Sequence, residues 1–462
     1  MTSRSRKGHE GPRDPFTEDA LAIRFSKRHK DDLRYIAATG HWQKWDGSRW
    51  YTETTQLAFD LARKSLRADA ILYGNGKSPP SSVYSASTVA AVERMARADR
   101  FHATTIEQWD ANDWLYNTED ATFELQSGVS RPPDPADCIT KKAACAVAPA
   151  GTPHPLWTAF LERIAPDPEL RAFLKRYCGY SLTGVTTEHK FCSAYGTGAN
   201  GKSTFTNTVA GILGDYATIA DVGTFIASRV ERHPTDVAKL HGYRLVVAQE
   251  TQKGRHWDET KIKTMTGGDK MTARFMRCDF FDFVPKFKLW VVGNHKPQLD
   301  NVDEAMRRRM LLVPFLVEIP VEERDPNLME KLKAEWPAIL GWMLEGCREW
   351  QQSGLAPPEI VTEATEAYFE DQDMIKQWLE ECTEDGGPFA FITTSQLFAS
   401  WKAWCDARGL ISGTGKALQE VLVDRGLVPK RTNRGRGFAG IQLKADDPMI
   451  EDDGSIIEGP WR

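Results

Sequence analysis

The chain has 462 residues, 41% hydrophobic and 27% charged, with a formal net charge of −5; at roughly 100–200 residues per domain, that length predicts about three domains. No apolar run approaches the roughly 18 residues a membrane helix needs. Mean hydropathy is −0.46, and residues 1–14 are polar and basic, without the apolar centre of a secretory signal. These features point away from a membrane or secreted protein and toward a cytoplasmic one. The eight cysteines are scattered without a Cys-x-x-Cys pair, and they read as reduced thiols rather than a zinc cluster or disulfide framework. The slight acidity argues against coating nucleic acid by bulk charge, yet leaves room for a local basic channel, because only charge near the phosphates matters at physiological salt.

In chain order, residues 1–15 read as a disordered arm. Amphipathic helices are expected over 21–32, 57–70 and 87–98. Between the first two lies a hairpin: His41-Trp42-Gln43-Lys44-Trp45, an Asp46-Gly47 turn and Arg49-Trp50-Tyr51, since Asp-Gly between aromatic runs favours a tight turn. Residues 112–125 suggest a small strand unit, followed by a proline-rich stretch at Pro132, Pro133 and Pro135, and helices resume over 156–163 and 169–177. From 189 to 320 short apolar strands alternate with polar or helical segments, the pattern of an α/β nucleotide-binding sheet. Helices follow over 326–350 and 363–382. The stretch 389–443 reads as helix (395–408), helix (415–425) and two short strands around a basic, glycine-rich turn, an order that fits a winged helix. The last residues, with Asp446, Asp447, Glu451, Asp452 and Asp453, form an acidic tail. The expected division is an arm (1–15), a mixed α+β N-terminal region (16–150), an ATPase domain with preceding helices (151–345), a helical linker (346–384), a winged-helix-like domain (385–444) and the tail (445–462).

The most specific feature is Gly196-Thr197-Gly198-Ala199-Asn200-Gly201-Lys202-Ser203-Thr204, set between an apolar strand at 191–195 and a helical pattern at 205–213. That is the context of a P-loop. Its glycines let backbone N–H groups turn inward onto phosphate oxygens, and the helix N-terminus favours negative charge. Lys202 would reach the β- and γ-phosphates of ATP, and the Ser203 hydroxyl would ligate Mg2+. A second glycine run, Gly74-Asn75-Gly76-Lys77-Ser78, has the wrong spacing and runs into Pro79 and Pro80, so it reads as a surface loop. The apolar run 244–249 ends in Gln249-Glu250; Glu250 is the candidate catalytic and metal-site carboxylate, with Gln249 where such strands often carry a first acid. Asn294, at the tip of the run 287–293, can orient water against the γ-phosphate. Arg307, Arg308 and Arg309 precede the strand 310–315, where a ring ATPase offers a guanidinium to its neighbour's nucleotide.

Taken together, Tyr195-Gly-Thr-Gly-Ala-Asn-Gly-Lys-Ser-Thr204, Gln249-Glu250-Thr251, Thr266-Gly267-Gly268-Asp269, Gly293-Asn294-His295-Lys296-Pro297 and Arg308-Arg309 resemble the superfamily 3 helicases. More narrowly, the chain is similar to the phage and plasmid primase-helicase group (P4-type, poxvirus D5-like). The likeness covers about 100–345, with Trp114-Leu-Tyr-Asn117, Asp134-Pro-Ala-Asp137 and Gly179-Tyr-Ser-Leu-Thr-Gly184 matching the D5 N-terminal-like region. The resemblance implies an AAA+-like core, a hexameric ring, ATP and Mg2+ as cofactors, and 3′-to-5′ translocation on single-stranded DNA. Within it, 269–282 would be the hairpin lining the ring's pore, with Lys270, Arg274 and Arg277 on phosphates and Phe280, Phe281 and Phe283 anchoring it. Lys416 on the second C-terminal helix, and Lys430, Arg431, Arg434 and Arg436 in the glycine-rich turn, are candidate duplex contacts. No Asp-x-Asp pair for two-metal nucleotidyl transfer stands before residue 100, and Asp371 with Asp373 reads as solvated surface, so primer synthesis is not expected. The reading is a replicative DNA helicase of a phage or other mobile element, with a separate primase or polymerase as a candidate partner; an ATP-regulated initiator that binds origin DNA is the alternative.

Overall fold

The computed structural model describes residues 14–73, 79–227, 235–249, 255–276, 279–299 and 304–444. The chain divides into two compact units, one reaching residue 365 and one from residue 366 onward.

The first unit opens with α1 (Glu18–His29), β1 (Leu33–Ile36), β2 (His41–Trp45), β3 (Trp50–Thr52), α2 (Leu57–Tyr73), α3 (Ala86–Ala98) and β4 (Ala103–Thr104). Its sheet has the order β3-β2-β1-β4. The expected hairpin is present: Trp45 faces Trp50, Asp46 accepts the N–H groups of Ser48 and Arg49, and Gly47 takes φ +105°, which only glycine adopts cheaply. Leu21, Phe25, Leu33, Leu66 and Val92 form the core of this region. Beside it, buried Asp69 is held by Arg24 and Arg28 at 2.7 Å each. Then β5 (Leu115–Asn117), β6 (Thr122–Glu124) and β7 (Val129–Arg131) make an antiparallel meander.

Two helices, α4 (Pro155–Ile164) and α5 (Pro168–Tyr180), lead into the main sheet. In chain order come β8 (Phe191–Tyr195), α6 (Lys202–Leu213), β9 (Ala217–Asp221), α7 (Thr235–Ala238), β10 (Leu245–Gln249) and α8 (Glu259–Gly267). They are followed by β11 (Met271–Ala273), β12 (Phe281–Phe283), β13 (Lys288–Gly293), α9 (Glu304–Arg307) and β14 (Met310–Pro314). Five strands lie in the order β14-β8-β13-β10-β9, all parallel. Helices cover parallel sheets on both faces, so their inner strands are apolar throughout. Accordingly β8, β10, β13 and β14 are almost wholly buried. The chain leaves β8 through α6 toward the far edge, yet β14 returns on the other side of β8. That reversal opens a crevice at the carboxyl ends of the strands, where open α/β sheets bind ligands.

Helices α10 (Leu328–Lys333), α11 (Trp336–Ser353) and α12 (Glu359–Gln372) follow. The crossing of α5 and α11 is so close that a Cβ on Gly179 would lie 2.0 Å from the Cys347 nitrogen, and one on Gly346 2.2 Å from the Lys175 carbonyl. Trp157, Tyr177, Phe205, Trp290, Val313 and Met343 share one core around the sheet.

The second unit holds α13 (Met374–Cys382), β15 (Thr383–Asp385), β16 (Phe391–Thr393), α14 (Thr394–Ala407), α15 (Gly415–Asp424), β17 (Pro429–Thr432), β18 (Gly435–Ala439) and β19 (Ile441–Leu443). The strands pair as β16-β18-β17 and β15-β19. Its core is built from Trp378, Leu397, Trp401, Leu418, Leu422 and Phe438. Trp378 comes from the span read as linker, so this unit takes in more chain than 385–444. Asp373, expected on a solvated surface, is buried. It accepts the Lys376 N–H at the head of α13 and pairs with Arg425 at 2.6 Å, which turns Arg425 onto its own unit.

Candidate functional site

The loop after β8 is shaped by contacts only glycine permits. Gly196 has φ +152°, and a Cβ there would lie 2.1 Å from the Phe315 carbonyl oxygen; Gly201 has φ +80°, and its Cβ would meet Ile164 of α4 at 2.4 Å. Asn200, 3% exposed, donates its amide to the carbonyls of Phe315 at 2.8 Å and of Thr197. The Ile319 N–H reaches the Ala199 carbonyl at 2.9 Å. The loop is therefore stapled to the chain leaving β14, while its crest, Thr197, Gly198 and Ala199, stays exposed. Helix α6 has a glycine N-cap and no capping side chain, whereas Thr17, Ser85 and Asp167 cap α1, α3 and α5. Among the described residues, the backbone N–H groups of 198–204 reach no acceptor. Unpaired N–H groups converging on a helix N-terminus form a concavity suited to an anion.

Lys202 stands at the base of that concavity. Its ammonium donates to the Gly196 carbonyl and Asn200 Oδ1 at 2.9 Å each, to the Thr197 carbonyl at 3.3 Å and to Asn294 Oδ1 at 3.4 Å. Burial pushes its pKa down to about 8. Lys202 is thus a buried donor that ties the loop to the strand beyond. Ser203 is exposed on the first turn of α6, its hydroxyl unbonded among the described residues, and Thr204 is half-buried. Asn294, just past β13, is exposed and belongs to the same cluster because β13 is the neighbour of β8. One strand further, Gln249 Nε2 donates to Asn207 Oδ1 at 2.8 Å. Sequence reasoning missed Asn207, although its spacing of four from Ser203 puts the two on one helix face. Glu250 lies outside the described residues.

The remaining candidates stand apart from the loop. Arg308 is exposed and Arg309 half-buried, and both precede β14. Met310 pairs with Phe191 and Pro314 with Tyr195, so the arginines sit at the amino end of the sheet, roughly 16 Å along β14 from the end that meets the loop. Arg309 donates to the Ala305 carbonyl at 2.8 Å. In the β11–β12 hairpin, Met271 faces Phe283, and Phe283 packs with Ala238 and Ala273. Phe280 does not anchor the hairpin: it is 60% exposed, with the Arg274 guanidinium 4.7 Å above its ring. Lys270 is exposed, and Arg277 lies outside the described residues. In the second unit Lys416 is exposed and stands 3.8 Å from Glu420. Lys430, Arg431, Arg434 and Arg436 are all exposed, with Arg431 directly across from Arg436.

A D5 N-terminal-like family model matches residues 22–166, and a family of unknown function (DUF5906) matches 194–309. A candidate helicase of Acanthamoeba polyphaga mimivirus is 25% identical over 292 residues, 58% of this chain and 30% of that protein. One from Frog virus 3 (isolate Goorha) is 26% identical over 270 residues, 54% of this chain and 28% of that protein. These matches support a D5-like primase-helicase family for the chain. This D5-like chain spans less than a third of the length of those two curated relatives. Its first family match ends just past α4, the helix against Gly201, and its second runs from the end of β8 to Arg309. Among solved structures, the apo NrS-1 C-terminal region aligns with 94% of the D5-like chain and 100% of its own, at 9% identity and a TM-score of 0.47.

Proposed function

We propose that the chain is the ATP-hydrolysing subunit of a superfamily 3 DNA helicase, with an AAA+-like core, working as a hexameric ring that moves 3′-to-5′ on single-stranded DNA during replication of a mobile element. The observation that carries this reading is the 196–204 loop, whose unpaired N–H groups surround the buried ammonium of Lys202. The triphosphate would take the N–H groups, and Lys202 would exchange the Gly196 and Thr197 carbonyls for phosphate oxygens. Ser203 and Glu250 would hold Mg2+, and the exposed Ser203 hydroxyl on the first helical turn suits a hard cation; when bound, the ion neutralises charge on the bridging phosphates. Asn294, beside Lys202, would orient the attacking water. Arg309 is too far along β14 to serve its own loop, so it would complete a neighbouring subunit's site, with Arg308 beside it.

The hairpin would follow the DNA strand through Lys270, Arg274 and Arg277. A cation stacked on an exposed ring, as Arg274 is on Phe280, is the combination that binds single strands. The second unit would act as a winged helix on duplex DNA through Lys416 and the four cations at 430–436. Those four cations, with no ion-pair partner among the described residues, also favour a second reading, an initiator that holds origin duplex while unwinding is secondary. The test is ATP hydrolysis with and without single-stranded DNA, together with strand displacement from 3′- and 5′-tailed duplexes. Stimulated hydrolysis and displacement from the 3′ tail are expected. Hydrolysis indifferent to DNA, with no displacement from either tail, overturns the helicase reading; tight duplex binding without displacement leaves the initiator.

A further inference from the structure

We propose that Asn207 and Gln249 form a neutral metal-positioning pair: Asn207 fixes the Gln249 amide so that a carbonyl oxygen, rather than a carboxylate, stands at the metal side of the phosphate loop. This rests on the ATP-binding reading above. Gln249 ends β10, in register with Val292 of β13 on one side and Asp221 of β9 on the other. Leu245 and Val247 of the same strand pack into one core with Phe205, Val209 and Ile212 of α6. Side chains alternate along a strand, so Gln249 faces α6 as they do. There its Nε2 donates to Asn207 Oδ1 at 2.8 Å. Asn207 is one helical turn beyond Ser203, on the same face.

An amide nitrogen only donates and an amide oxygen only accepts. Spending Nε2 on Asn207 therefore leaves Oε1 as the open end of Gln249, and no donor reaches it among the described residues. Asp221, the carboxylate next in register, accepts the Gly223 N–H at the turn after β9. The strand tip beside Ser203 thus presents a neutral hard oxygen where P-loop enzymes commonly carry a metal-side Asp. Magnesium accepts such oxygens but binds them more weakly than carboxylates, and would be retained chiefly by the nucleotide's own phosphates. The same neutrality removes a negative charge that would repel a metal-free triphosphate.

The experiment is equilibrium binding of a fluorescent ATP analogue to the full chain, in EDTA and across a Mg2+ titration. Gln249→Glu, nearly isosteric, is expected to lower the Mg2+ midpoint roughly tenfold and to weaken binding in EDTA. Asn207→Ala is expected to raise the midpoint roughly tenfold, as loss of outer partners of metal ligands does, while leaving binding in EDTA unchanged. Asn207→Asp keeps an acceptor for Nε2 and should not raise it. Equal midpoints in all variants, an Asn207→Ala effect of the same size with and without metal, or an Asn207→Asp midpoint as high as that of Asn207→Ala would overturn the inference while the phosphate loop stands. A wild-type chain that binds no analogue at any Mg2+ concentration would overturn both.

Discussion

Two glycine-bearing turns in this chain carry cations, and they are built in opposite ways. In the 196–204 loop a single cation, Lys202, is buried and donates to four oxygens of its own surroundings. In the 430–437 turn four cations stand exposed, and two of them, Arg431 and Arg436, face each other across the strands, where like charges repel. The glycines differ as well. A Cβ on Gly196 would strike the Phe315 carbonyl at 2.1 Å, whereas one on Gly435 would meet nothing within 4 Å. The first turn offers an anion a fixed shape, and the second offers charge. Shape made from backbone N–H groups changes little with salt; exposed charge is screened by it.

The sharpest way to break this contrast is Lys202→Ala. Hydrolysis of ATP should fall by about 10³, as when a preorganised charge donor is removed, while duplex binding is unchanged; steady-state turnover and a duplex titration on one preparation check both. Changing Lys430, Arg431, Arg434 and Arg436 together to Ala should do the reverse. If each neutralises one phosphate, the log–log salt slope of duplex affinity, about −3 to −4, should collapse and low-salt affinity should drop by about 10². Nucleotide affinity should not move. The glycines come next: Gly196→Ala should destabilise the first unit by about 2 kcal/mol or more through collision with backbone. Gly435→Ala meets only backbone strain, about 1 kcal/mol, and thermal unfolding of both variants gives the comparison. The smallest effect is that of pH. Burial holds Lys202 near pKa 8, and a phosphate would stabilise its charged form and raise that pKa. Binding strength is therefore fully present below pH 8 and is lost as pH rises, by roughly tenfold between pH 7 and pH 9.

Local pattern made much of this legible. The strands at 191–195, 245–249, 288–293 and 310–314 are mainly apolar runs, so they could be placed to within a residue or so, and the glycine-rich 196–204 segment lies between β8 and α6 as its flanking pattern suggests. Strand β9 carries no such apolar signal because it lies at the sheet edge and is half exposed, with Ile219 62% accessible. Pairings between distant residues were also beyond reach. The Asn207–Gln249 hydrogen bond joins positions 42 apart, and the Asp373–Arg425 pair joins positions 52 apart; nothing in either segment's own periodicity marks them. Phe280 cannot be told from Phe281 and Phe283 by sequence, yet the hairpin buries Phe283 and turns Phe280 outward.

The crossing of α5 and α11 acts as a ruler. At Gly179 and Gly346 the nearest facing atoms are main chain, so trimming a neighbouring side chain cannot make room for a larger residue at either point. Two such contacts fix how far one helix can slide along the other and how far it can turn. Inserting or deleting a single residue within either helix would rotate its glycine away by about 100° and bring a side chain into the gap. Length changes should therefore be tolerated in the connections around these helices but not between Pro168 and Tyr180 or between Trp336 and Ser353.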